Sequence, residues 1–218
     1  MIQIRAAGSS ALLVCLDEAE QVTGLYLELR ADPPEGLIDA IPAAETVMVV
    51  FDPARTESAA LRRRLEDAAA RADKYEAAAD QGLDQGPDQG PVVTIPVVYD
   101  GPDLADIASR TALSVEEVVR RHAAGEYVVA FCGFAPGFGY LTGLDPALRL
   151  PRRSVPRTRI PAGSVAVADR FASVYPSSSP GGWHLLGRTT TVMWDVERQP
   201  PALLTPGTRV RFEQAAER

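Results

Sequence analysis

The stretch PGGWHLLGRTT, Pro180 to Thr190, concentrates residue types that do chemistry. It holds one of only two histidines and one of only two tryptophans in 218 residues, with a glycine pair and an arginine. His184 has an unperturbed pKa near physiological pH, which suits a general acid or base, although a lone histidine in a strand is more often a packed or surface residue. The backbone N–H groups of Gly181 and Gly182 suit an oxyanion, and Arg188 offers charge-matched donors. Two more stretches share this texture. GFAPGFGYL (133–141) supplies Phe134, Pro136, Gly137, Phe138 and Tyr140, and PRRSVPRTRIPAGS (151–164) supplies Arg152, Arg157 and Ser164. Tyr175, Ser179 and Trp183 lead into the opening stretch. Aromatic walls, guanidinium groups, hydroxyls and glycine amides together fit a small, flat ligand that is anionic or carries an amide. The same glycines and aromatics also serve tight turns and core filling.

Charge and composition narrow the function classes. The net charge of −7 argues against a nucleic-acid binder. Yet Pro146 to Met193 carries Arg149, Arg152, Arg153, Arg157, Arg159, Arg170 and Arg188 against a single acid, Asp169. Such a concentration suits carboxylates or phosphates, or forms a solvated basic edge. Lys74 is the only lysine, no P-loop and no GxSxG elbow occurs, and two histidines with the distant Cys15 and Cys132 give no metal site. The unpaired cysteines suit a reducing cytoplasm. No apolar run reaches membrane length, and the first residues read as strand rather than signal peptide.

The elements that must position these residues fall into two groups. The division is expected at 94/95, with a small α+β domain over 1–94 and a barrel domain over 95–218. In the first, IQIRAAGSSALLVCLD and LIDAIPAAETVMVVFDP each give a pair of strands. EQVTGLYLELRADP fits strand or helix, and TESAALRRRLEDAAARADKYEAAA is a clear helix. With the strand beginning at Val92, this order matches a ferredoxin-like module. The DQG repeat across 80–90 has no apolar face and reads as a mobile loop. In the second group, two helices join at TALS, with Ser114 and Glu117 as a capping box. The acids of VEEVVRRH argue against a DNA-binding helix pair. His122 ends the second helix, where a cation complements the helix dipole. VVAFCGF, SVAVA, ASVYP, GWHLLGR, TTTVMWD and Arg209 to Phe212 are short strands separated by Gly, Pro and Ser clusters, which indicates a β-barrel or sandwich.

Four ordered segments, GFAPGFGYLTGLD, LPRRSVPRTRIPAGSVAVA, YPSSSPGGWHLLGRT and LLTPGTRVRF, closely resemble the allophanate hydrolase subunit 1 family. Its members include the B component of 5-oxoprolinase and the sporulation kinase inhibitor KipI. The resemblance runs from about Ile95 to Phe212. It implies an N-terminal α+β domain and a C-terminal cyclophilin-like β-barrel. It also implies a partner, the allophanate hydrolase subunit 2-type protein (the C component of 5-oxoprolinase), and in 5-oxoprolinase a third chain, the A component. The implied activity is an ATP-dependent opening of the 5-oxoproline lactam to glutamate, by a hetero-oligomeric amide hydrolase. ATP would then be bound by, or shared with, a partner chain. By residue type, Arg152, Arg157 and Arg188 would steady phosphate or carboxylate, and a chain that needs a partner should expose apolar surface, for which GFAPGFGYL, with Phe138, is the candidate. The family also permits a urea carboxylase or allophanate hydrolase role, or a KipI-like inhibitor of a histidine kinase.

Overall fold

A computed structural model describes residues 2–17, 19–79 and 92–216. The chain divides into two compact units, Met1–Gln89 and Gly90–Arg218. The DQG repeat at 80–90 lies outside the described residues.

The first unit is two hairpins, each followed by a helix. Its elements are β1 (Gln3–Ala6), β2 (Ala11–Cys15), α1 (Ala19–Ala31), β3 (Leu37–Pro42), β4 (Thr46–Phe51) and α2 (Ser58–Ala79). The strands form an antiparallel sheet in the order β1-β2-β4-β3. Leu12, Val14, Val47, Val49 and Phe51 form one core with Val22, Leu25, Leu29, Leu61 and Leu65. The ambiguous segment is a helix, because its buried residues Val22, Leu25 and Leu29 recur at helical spacing while Leu27 is 46% exposed. The ferredoxin-like expectation is not met. It needed the strand after the long helix to enter this sheet, and that strand joins the other unit instead.

In the second unit, β5 (Val93–Val97), β6 (Tyr127–Cys132), β7 (Gly139–Thr142), β9 (Ser164–Ala168), β10 (Phe171–Val174), β12 (His184–Arg188) and β13 (Arg209–Gln214) form one seven-stranded sheet. The order is β12-β9-β10-β7-β6-β13-β5, antiparallel except for the β13–β5 pair. Val98, just past β5, exchanges two backbone hydrogen bonds of 2.9 Å with Arg188, so the sheet curls into a nearly closed barrel. Ile95, Val129, Leu141, Ala172, Val174, Val165, Val167, Leu186, Val210 and Phe212 fill its interior. The expected division at 94/95 falls within β5. TTTVMWD, expected as a strand, contributes only an isolated bridge between Trp194 and Ala202. Thr189 Oγ1 takes the Thr191 N–H at 3.1 Å, and a side chain that captures a backbone donor competes with a strand ladder. A two-stranded ribbon, β8 (Arg157–Ile160) with β11 (Ser179–Gly181), completes the unit's strands.

Two helices, α3 (Leu104–Thr111) and α4 (Val115–Ala124), pack on the barrel through Ile107, Val118 and His122. Ser114 Oγ caps α4 by accepting the Glu117 N–H at 3.1 Å. Only half of the expected box forms, because the Glu117 carboxylate turns to Arg120 and Arg121. His122 is no cation at a helix end. It is fully buried among the rings of Tyr99, Tyr127 and Phe212, with Tyr99 Oη 2.8 Å from its Nδ1.

Burial of His122 penalises its charged form and lowers its pKa from 6.5 to about 3. The unfolded chain therefore binds a proton below about 6.5 that the folded chain refuses, so stability falls as the pH drops through this window. The slope is about 1.4 kcal/mol per pH unit. Urea unfolding at pH 7 and pH 5, where most carboxylates are still ionised, is expected to show this loss in the native chain. A His122→Phe variant should show a flat profile over the same range.

Candidate functional site

The Gly133–Phe138 segment builds a tight loop between β6 and β7. Gly133 N–H donates to Phe138 O at 3.1 Å, and Phe138 N–H donates to Ala135 O at 3.0 Å. Phe134 has φ +68°, and Gly137 has φ +81°. At Gly137 a side chain is excluded on two counts: the left-handed backbone, and a Cβ that would stand 2.9 Å from Trp194 Cβ.

This loop brings together most of the aromatic residues singled out in the sequence. Phe138 sits at the centre and is 1% exposed. The rings of Phe134, Tyr140, Tyr175 and Trp183 surround it, with centroids 5.2, 5.0, 5.2 and 5.6 Å away. Tyr140 in turn stacks on Phe131 at 4.2 Å. These edge-to-face contacts are the arrangement that ring quadrupoles favour. Phe138 therefore cannot face a partner. Phe134, four residues earlier, is the exposed ring, and Pro136 is exposed beside it.

Two hydroxyls and a guanidinium border the cluster. Burial pushes the Tyr175 hydroxyl up to about 12, against the opposing pull of Arg152, the Trp183 backbone N–H and Arg157. Burial also raises Tyr140, again opposed by Arg152. Arg152 is exposed and 3.8 Å from the Asp169 carboxylate. The glycine pair at 181–182 has a steric reason at its first member. A Cβ on Gly181 would stand 2.4 Å from the Tyr175 hydroxyl oxygen, so any larger residue there would have to displace the buried Tyr175 ring. Gly182 O accepts the Arg153 backbone N–H at 2.7 Å. Ser164 is buried and donates to Pro161 O at 2.8 Å, which makes it a turn residue. Ser179 Oγ is buried with no hydrogen-bond partner among the described residues.

The sequence reading missed Asp103, the N-cap residue of α3. Its buried carboxylate accepts 2.9 and 2.7 Å hydrogen bonds from Arg157, 2.8 Å from Arg153, and 2.7 Å from the Leu185 backbone N–H. Burial alone would raise its pKa. The Arg157 hydrogen bonds, the Leu185 N–H and the charges of Arg157 and Arg153 outweigh it and hold the carboxyl below its ordinary value. The clamp draws the start of α3, the 151–157 segment and the start of β12 together. Arg157 thus spends its guanidinium on an internal carboxylate, and Arg188 likewise holds Asp100 at 2.7 Å.

His184 is fully buried. Its Nε2–H donates to Pro151 O at 2.9 Å, with an Arg110 Nη1 3.4 Å from the same nitrogen. Its Nδ1 stands 3.8 Å from the Asp106 carboxylate. In this packing it tethers the arginine-bearing segment at Pro151 and offers no surface to a ligand. Among the described residues no cluster of His, Cys, Asp and Glu is arranged to hold a metal ion, and no helix is long and apolar enough to cross a membrane.

The fold of this chain recurs as one part of a larger protein. The structure of K. lactis urea amidolyase contains the same fold, with a TM-score of 0.66 over 99% of this chain and 15% of that one, at 19% identity. Residues 2–204 match the carboxyltransferase domain family, subdomain C and D, and the chain belongs to that family. The B component of 5-oxoprolinase from Bacillus subtilis is 37% identical over 238 residues, covering 99% of this chain and 94% of that protein. The resemblance to the allophanate hydrolase subunit 1 family is thereby borne out. The crystal structure of TTHA0988 matches with a TM-score of 0.74 at 39% identity over 99% of this chain. This chain spans 41% of the length of TTHA0988.

Proposed function

We propose that this chain is the B component of an ATP-dependent 5-oxoprolinase, acting in the cytoplasm with a C-type partner and an A component. The observation that carries this is the 37% identity with the B component from B. subtilis, sustained over nearly the full length of both chains. The geometry agrees in kind. The half-buried Tyr140 ring, backed by the buried Phe138, Tyr175 and Trp183, offers an apolar face and a hydroxyl, and Arg152 supplies a charge at its edge. A five-membered lactam that bears a carboxylate has the matching flat ring, amide and anion. We read the barrel as cyclophilin-like.

The arginines do not fit an ATP-phosphate site within this chain. Arg153 and Arg157 both hold the Asp103 carboxylate, and Arg188 is paired with Asp100. We therefore assign ATP to a partner chain, and give His184 and Arg188 the role of positioning the loops rather than contacting the reacting atoms.

The test is an assay of the chain mixed with its A-type and C-type partners, with ATP and 5-oxoproline, following glutamate. Glutamate is expected only when all components are present. A well-folded complex that releases none would overturn the assignment and direct attention to urea-derived carboxylates.

A further inference from the structure

We infer that Phe134 anchors the surface on which the C-type partner docks, an inference that rests on the 5-oxoprolinase reading above. Phe134 combines two features that seldom coincide. It is a bulky residue in left-handed backbone, at φ +68°, where side chains other than those of Gly, Asn and Asp are strained. It is also 61% exposed, so its packing does not account for the strain. The conformation is imposed by three backbone hydrogen bonds across six residues: Gly133 N–H to Phe138 O, Ala135 N–H to Gly133 O and Phe138 N–H to Ala135 O. Beneath it lie Phe138 and Tyr175, both buried. The ring is held out on a rigid base.

Its surroundings extend the patch. The loop lies against Trp194 through Gly137, and Trp194 is itself 39% exposed. Val192 and Val196, two positions either side of Trp194, are exposed as well. Arg152, exposed and electrostatically coupled to Tyr140 and Tyr175, adds positive charge near this surface. Rigid aromatic anchors with a cationic rim are the composition of binding hot spots, and the complementary surface is an apolar recess bordered by carboxylates. The occupant is a protein chain. In TTHA0988 the region equivalent to this chain is joined to further sequence longer than itself, and the 5-oxoprolinase reading places the counterpart of that sequence on a separate polypeptide.

The experiment titrates the full chain with the purified C-type chain and measures Kd by calorimetry. Phe134→Asn is the informative variant, because asparagine tolerates left-handed backbone. Its thermal midpoint should stay within a few degrees of the native value while Kd weakens at least about 30-fold. Trp194→Ser should weaken binding too, and Phe134→Trp should retain it. A Phe134→Asn variant that folds and binds as the native chain does overturns the anchor while leaving the 5-oxoprolinase reading intact. A native chain that forms dimers through Phe134 with no partner present assigns the surface to a second copy and overturns the proposal. A native chain that binds no C-type chain brings down the 5-oxoprolinase reading and the surface together.

Discussion

Replacing Asp103 with alanine is expected to destabilise the chain by about 3–5 kcal/mol, the usual consequence of removing one partner from a buried ion pair. Two guanidinium groups and the Leu185 N–H lose their acceptor at once. Urea unfolding of the full chain at pH 7 measures the loss. Asp103→Asn retains an acceptor oxygen and should fall between the two. The carboxyl's pKa is lowered in the folded state, so its stabilisation is fully present above the unfolded value, near 3.8, and is lost as pH falls through the folded one. The gap between the native chain and Asp103→Ala should therefore narrow under strong acid. A gap below about 1 kcal/mol at pH 7 would mean that the clamp is not holding the segment.

Phe138→Ala is expected to cost a similar amount, about 3–5 kcal/mol, as for other large-to-small changes at a buried aromatic. Four rings lose their common neighbour, and the Trp183 indole, 5.6 Å away, loses a fixed environment. Near-ultraviolet circular dichroism should therefore weaken even where the barrel remains folded. Unchanged stability would show that the cluster repacks around the cavity. Phe138→Asp would place an unpaired charge in the same spot, so failure of that variant to meet a partner would report misfolding, not a lost interface.

Much of the site could be read before any coordinates. Gly, Pro and aromatic residues at short spacing indicated turns and ring clusters, and the structure gathers Phe134, Phe138, Tyr140, Tyr175 and Trp183 in one place. What the spacing could not say was which ring points out. Phe134 and Phe138 differ only through the left-handed turn between them, and a composition of Gly, Ala, Pro and Phe does not specify that turn. Asp103 was hidden for a related reason. An aspartate before a helix reads as an ordinary cap, whereas its real partners lie some fifty residues on in PRRSVPR. Arg153, Arg157 and Arg188 looked like open cations because their counter-charges, Asp103 and Asp100, are remote in sequence. His184 misled in the opposite direction, since its residue type suggests chemistry while its burial makes it a tether. In the first unit, the segment at 19–31 was ambiguous because Leu25 and Leu29 satisfy both periods, and only the exposure of Leu27 settles it.

The parallel pairing of β5 with β13 has a consequence for how the polypeptide is made. These are the first and last barrel strands in chain order, and Val98 can meet Arg188 only after everything between them has been laid down. During synthesis, β5 emerges with neither of its eventual neighbours available. Its backbone donors and acceptors stay open until the far end of the barrel leaves the ribosome. A topology so dominated by distant pairings folds slowly, on the millisecond-to-second scale typical of such β-rich domains. An unpartnered strand edge in that interval is a template for joining another nascent chain. Crowded expression should therefore expose this molecule to misassembly before β13 arrives, and slower, cooler synthesis should raise the yield of closed barrels.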